Sequence, residues 1–169
     1  MFEALLSFRS RRRGSLALAV AVAFSAQQTI ALAEGPFQEF TGGWRGGGQI
    51  VESNGHRESI RCRAEYAEAK GGSALSQAIV CASESFKLDI KSYVEASGEL
   101  VQGYWSEAAR DLTGHLTGRI AAGRFEGEIN APAFNAAISL TSNGRNQAVS
   151  IQPRGGEVSD VRIALERNN

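Results

Sequence analysis

The chain has 169 residues, with 18 Lys+Arg against 18 Asp+Glu, a formal net charge of zero and 43% hydrophobic residues. That is room for one domain around one core, and the interspersed charges exclude a nucleic-acid partner or a polybasic membrane contact. Two histidines, two cysteines and one methionine, Met1, imply no metal or cofactor centre.

Residues 1–33 read as a cleavable secretory signal. Arg9 and Arg11 to Arg13 form a basic start, Ser15 to Ala26 is an apolar run, and Ala31-Leu32-Ala33 is a small-residue cleavage site. The run is too short to span a membrane, which takes about 20 residues. No cysteine precedes Cys62, so a lipoprotein's lipid has no attachment point. The expectation is a mature protein free in a bacterial periplasm or secreted. Residues 34–42 then form an N-terminal leader, flexible at Glu34-Gly35-Pro36, ahead of a single domain over 43–167.

Beyond Gly43 the apolar residues recur with period two and turn signals separate the runs, so the fold class is all-β. Each hairpin is placed by asking which turn sets apolar residues opposite apolar ones. A three-residue loop, Asn54-Gly55-His56, sets Ile50 against Ile60, Trp44 against Tyr66 and, outside, Arg45 against Glu65. A turn at Gly71-Gly72 sets Cys62 against Cys81. Residues 74–96 hold one parity through Ile79 and Cys81 and then switch to Phe86, Leu88 and Ile90, which predicts a bulge or corner near Ala82 to Ser85.

A turn at Ser97-Gly98 sets Val94 against Val101 and Ile90 against Trp105, with Lys91 beside Tyr104 and Tyr93 beside Gln102 outside. The next, at Ala108-Ala109, sets Trp105 against Leu112, Gly103 against Gly114 and Val101 against Leu116. Ala122-Gly123 sets Ile120 against Phe125, Gly118 against Gly127 and Leu116 against Ile129, with Arg119 against Glu126 outside. Asn143-Gly144 suits a type I′ turn, which needs positive φ at both central residues, and it pairs Ile138 with Val149. The total is eight to ten antiparallel strands in a closed up-and-down barrel, with a two-sheet sandwich as the alternative.

Opposed residues on antiparallel strands stand roughly 4.5 to 5.5 Å apart, within reach of a disulfide. In an exported chain Cys62 and Cys81 are therefore expected to be bonded. His56 falls in a turn and His115 on the polar face of Leu112 to Ile120, which makes both surface residues rather than metal ligands. There is no Gly-x-Ser-x-Gly elbow, and acidic residues alternate with basic ones on outer faces, so no catalytic residue is assigned and the chain reads as non-enzymatic. The same outward charges exclude an outer-membrane barrel. Gly42-Gly43-Trp44-Arg45-Gly46-Gly47-Gly48 lacks the Lys-Ser/Thr and the helix of a phosphate loop. It reads as a first strand that bends and lets a neighbouring backbone come close.

Phe40-Thr41-Gly42-Gly43-Trp44-Arg45-Gly46 resembles the opening strand of calycin-like barrels: lipocalins, avidins, nitrobindin-like haem barrels and periplasmic metalloprotease inhibitors. In those families a Gly-x-Trp closes one end of the barrel, and Gly42-x-Trp44 matches it. The resemblance implies a small apolar ligand held inside, or a protease capped from outside by an N-terminal arm corresponding to residues 34–40. A nitrobindin-like haem site implies a histidine near the C-terminus; none follows His115, so haem is not expected. The leading expectation is a non-enzymatic binding barrel whose interior is lined by Trp44, Tyr66, Trp105 and Phe125, with Ile90, Leu116 and Phe134, around a small apolar ligand. The second is a protein-interaction module, a periplasmic protease inhibitor or a cell-envelope factor, that meets its partner by the arm or by an exposed pair such as Tyr93 and Tyr104.

Overall fold

The computed structural model describes residues 35–168; the segment read as a signal peptide, 1–33, lies outside the described residues. Ten strands follow one another: β1 (Gly42–Glu52), β2 (Arg57–Ala69), β3 (Ala74–Ala82), β4 (Lys87–Ser97), β5 (Leu100–Glu107), β6 (Leu112–Ala121), β7 (Arg124–Ala131), β8 (Phe134–Ser142), β9 (Asn146–Pro153) and β10 (Val158–Arg167). Each pairs antiparallel with the next, and β1 pairs with β10 from Trp44↔Arg167 to Glu52↔Val158, so the sheet is a closed up-and-down barrel and not a sandwich. Among the described residues no helix is long and apolar enough to cross a membrane.

The period-two pattern sorts the side chains. On β2, Ile60, Cys62, Ala64 and Tyr66 are buried while Arg61, Arg63 and Glu65 are exposed, as alternation of Cβ directions across a strand requires. β1 is the strand that most needs glycine. A Cβ on Gly46 would stand 2.0 Å from the Ala164 carbonyl oxygen, and one on Gly48 would stand 1.9 Å from that of Arg162. Only a bare backbone lets β10 lie this close while the sheet curls shut.

Two hairpins keep the register expected from the sequence. Ala122 and Gly123 both have positive φ, and Ile120↔Phe125, Gly118↔Gly127 and Leu116↔Ile129 are opposed. Cys62 faces Cys81 across the Lys70–Ser73 turn, and the two sulfurs are bonded. Four hairpins slide by one loop position, and the partners change accordingly. The β1–β2 loop places Ile50 opposite Glu58 and Trp44 opposite Ala64, because Gly55 supplies the positive φ that ends a three-residue loop beginning at Ser53. In the β4–β5 turn Gly98 leads, so Tyr93 stands opposite Tyr104 and Val94 opposite Gly103. The β5–β6 turn spans four residues, which sets Trp105 against Gly114 and Gly103 against Leu116. In the β8–β9 turn the Asn143 side chain accepts from the backbone N–H groups of Arg145 and Asn146, so Ile138 meets Ile151 and Leu140 meets Val149.

The parity change predicted as a bulge or corner near Ala82 to Ser85 is a complete hairpin turn between β3 and β4. Ser83 and Phe86 close a turn by backbone and hydroxyl bonds, and Cys81 then faces Leu88.

The segment before β1 is not a free leader. Phe37 and Phe40 are 2% and 1% exposed and belong to the core. Trp44 beneath them is fully buried, and its Nε1–H donates to the Phe40 carbonyl at 2.7 Å. Arg167 lies 4.4 Å over the Trp44 ring and donates to the carbonyls of Thr41 and Gly144. Ser142 Oγ donates to the Glu39 carbonyl at 2.6 Å. These bonds tie residues 37–41 to the β8–β9 turn and the end of β10, closing that end of the barrel. The segment therefore does not present the exposed arm that the inhibitor comparison requires.

Replacing both cysteines, Cys62→Ala with Cys81→Ala, is expected to lower the unfolding free energy by about 3 kcal/mol, the chain-entropy value for a loop of this size. A urea midpoint unmoved by the double substitution would show that the cross-link adds nothing to the closed sheet.

Candidate functional site

The inward side chains do not fill the barrel. They enclose a cavity of about 560 Å³, with Phe37 and Phe40 as its floor and its mouth at the opposite end, among Phe86, Arg110, Ala133 and the Arg154–Glu157 turn. The strand turns at the floor end are 70–73, 98–99, 122–123 and 143–145, and those at the mouth end are 53–56, 83–86, 108–111, 132–133 and 154–157.

The glycines explain why the interior stays open. Phe125 lies against Gly118 and Gly127: a Cβ on either would fall 2.6 to 2.7 Å from its ring carbons. The Trp105 indole lies in the same way on Gly114, with Nε1 2.7 Å from where a Cβ would stand, and meets Phe134 edge-on at 6.3 Å between centroids. Each ring is laid along the wall instead of across the lumen.

Of the residues expected to line the interior, Tyr66, Ile90, Trp105, Leu116, Phe125 and Phe134 do so. Trp44 does not. It sits one layer below the cavity, where it supports Phe40. Gly103 and Gly114, expected to stand opposite each other, are separated by the slide of the β5–β6 register.

Polar groups of the inner wall largely answer one another. Tyr66 donates its hydroxyl to Gln147 Oε1 at 3.2 Å, and burial pushes its phenol pKa well up. Ser92 Oγ donates to Gln77 Oε1. The Trp105 Nε1–H and Gln147 Nε2 groups are buried without a protein partner. The Cys62–Cys81 disulfide is part of the wall. What remains facing the cavity is mainly aliphatic and aromatic surface, with Asn135, Arg154 and Glu157 toward the mouth.

Glu107, at the mouth, went unrecognised in the sequence, although it shares the inward parity of Val101 and Trp105. It is 4% exposed. Its carboxylate accepts from the backbone N–H groups of Asp89 at 3.1 Å, Ala109 at 3.0 Å and Arg110 at 2.9 Å, and from Arg110 Nη1 at 3.4 Å. Burial works against its charge, but these donors outweigh burial and hold the carboxyl below the usual glutamate range. Arg110 also donates to the Lys87 carbonyl, so a single carboxylate joins β4 to the β5–β6 turn and sets the shape of that side of the mouth.

A group whose pKa is depressed by folding stabilises the fold above its unfolded value, here 4.5, and ceases to do so as pH falls through the folded value. Glu107→Gln is therefore expected to flatten the fall in stability that sets in as pH is lowered below 4.5. The same substitution should cost about 1–3 kcal/mol at neutral pH. Urea titrations across that range check this; parallel curves for the two proteins would remove the carboxylate from the account.

No family model and no curated protein matches the sequence. Solved structures do match in three dimensions. Rv2717c from M. tuberculosis superposes with a TM-score of 0.64 at 14% identity, covering 79% of this chain and 95% of that one. The S-type phycobiliprotein lyase CPES from Guillardia theta superposes with a TM-score of 0.53 at 11% identity, covering 79% of this chain and 90% of that one. At such identities the likeness is one of fold: the chain is a ten-stranded antiparallel barrel with structural neighbours of the calycin-like kind.

Proposed function

We propose that this barrel is a non-enzymatic binding protein that holds a small apolar ligand in its interior. The observation that carries the reading is the cavity itself, about 560 Å³, floored at one end, open at the other and walled by apolar side chains. Ligand sites commonly enclose about 300–1,000 Å³ with a few polar groups at the edge. Tyr66, Trp105 and Phe125 supply wall contacts, and Trp44 acts at one remove by holding Phe40 in the floor. A solved neighbour is named a lyase, so the fold alone favours neither binding nor catalysis. Binding is favoured by the state of Glu107, whose two oxygens are already taken by four donors and so are poorly placed to move a proton. The disulfide, the N-terminal signal pattern and the charged outer faces together support a periplasmic or secreted protein.

Native mass spectrometry of protein recovered from the periplasm, before and after denaturation, tests the reading. The expected result is a small molecule that is retained by the folded chain and lost on unfolding. Ile138→Trp, which places an indole in the cavity, should abolish retention while the disulfide and the unfolding midpoint are kept. A folded chain that arrives empty and takes up no apolar dye sensitive to Ile138→Trp would end the proposal.

A further inference from the structure

Charge is not spread evenly over the outer wall. Arg57, Arg61, Arg63 and Glu65 point outward from β2, Arg45 points outward beside them on β1, and β3 on the other side carries no charged residue at all. Three adjacent strands therefore present four exposed arginines and one glutamate, whose carboxylate lies over Gly43, 2.9 Å from where a Cβ would stand. The even balance of the whole chain conceals this excess, because alternation assigns each charge to a wall only once the strands are paired. The flanks carry both signs: Lys87, Asp89, Lys91 and Glu95 on β4, and Asp160, Arg162 and Glu166 on β10, with Glu166 opposite Arg45.

The arginines are not answered from within the chain. Arg45 stands directly opposite Arg63, an arrangement of like charges that costs stability. Among the described residues none of Arg45, Arg57, Arg61 and Arg63 is in an ion pair, whereas Arg119, Arg124, Arg154 and Arg162 on the rest of the wall each have an acidic partner. Arg57 donates to Gln49 at 3.1 Å. Arg61 rises between Gly47 and Ala82, and Arg63 has Val80 on its β3 side, so the guanidinium groups stand above low surroundings. From Arg57 to Arg63 the ridge runs roughly 20 Å along β2.

A protein interface is built around an apolar centre, and the large hydrophobics exposed among the described residues, Leu100 and Tyr104, are both on β5, away from this wall. A second copy has no acidic wall to match, because Glu95, Glu99, Glu126 and Glu128 are held in ion pairs. A plane of phosphates needs neither an apolar centre nor a groove. A convex barrel meets such a plane along a line, and guanidinium groups bind phosphate oxygens in pairs. We propose that the β1–β3 wall docks the folded barrel reversibly on the surface of an anionic phospholipid bilayer, with Arg57, Arg61 and Arg63 on headgroup phosphates and Arg45 beside them. The contact is independent of the interior cavity, because these arginines alternate with the inward Ile60, Cys62 and Ala64.

Sedimentation of the protein with vesicles tests this. Binding is expected to vesicles of equal parts phosphatidylglycerol and phosphatidylcholine at low salt, not to phosphatidylcholine alone, and is expected to vanish in about 0.5 M sodium chloride. Arg61→Gln with Arg63→Gln should weaken the partition about 25-fold, about fivefold for each charge. Arg119→Gln with Arg124→Gln, the same change in net charge on another part of the wall, should bind as the parent does, and an unmoved unfolding midpoint verifies the fold of each variant. Absence of binding to the phosphatidylglycerol vesicles overturns the proposal, as does binding that survives high salt or the Arg61 and Arg63 substitutions, or that falls equally in both double variants. A parent protein that ignores the vesicles but is retained by immobilised polyphosphate would give the wall to a soluble polyanion and overturn it too.

Discussion

Closing a sheet on itself requires the first strand to accept the last along its whole length, and β1 does so only because Gly46 and Gly48 carry no side chain where the β10 backbone passes. With that contact made, none of the ten described strands has an open edge and the ladder is continuous around the barrel. A flatter first strand would leave β1 and β10 as exposed edges and would spread the interior into the gap between two sheets. The cavity, its floor and the division of side chains into two faces all follow from closure.

Closure creates an inside, but does not by itself keep it empty or sealed. Rings packed flat on glycines leave the volume free: Phe125 on Gly118 and Gly127, and Trp105 on Gly114. Sealing at one end is the work of Phe37 and Phe40, held by Trp44 and by Arg167, whose guanidinium both covers the indole and bonds to the carbonyls of the segment that crosses the end. Such a stacked cation contributes roughly 0.5–2 kcal/mol, and it joins the first and last strands. At the other end the turns are held apart, Glu107 fixing one of them from within. Among the described residues, the asymmetry places the way into the cavity at the mouth end.

Which side chains face inward was legible from the alternation, and it held even where the pairing slid. Moving a hairpin by one loop position changes each partner by two residues, and a shift of two returns the same face. Tyr66, Trp105 and Phe125 were therefore found as interior residues although several of their neighbours were misplaced. Trp44 was read as lining for the same reason: alternation reports inward or outward, but not the depth along the barrel axis. Phe37 and Phe40 were out of reach because they lie in turns, where no period operates. Glu107 had the inward parity, but hydropathy conceals a buried carboxylate whose compensation comes from backbone donors of a turn and a neighbouring strand.

By itself, then, the sequence determined the strand class, the two faces, the hairpin at Ala122-Gly123 and the opposition of Cys62 and Cys81, because each rests on periodicity or on the conformational limits of a few adjacent residues. The tertiary structure decided which turn residue takes positive φ, and with it that Tyr93 stands beside Tyr104 and Trp105 over Gly114. It also decided that one end is plugged and the other open. These outcomes depend on contacts between segments as remote as Thr41 and Arg167, and a local pattern carries no record of an energy that exists only once the sheet has closed.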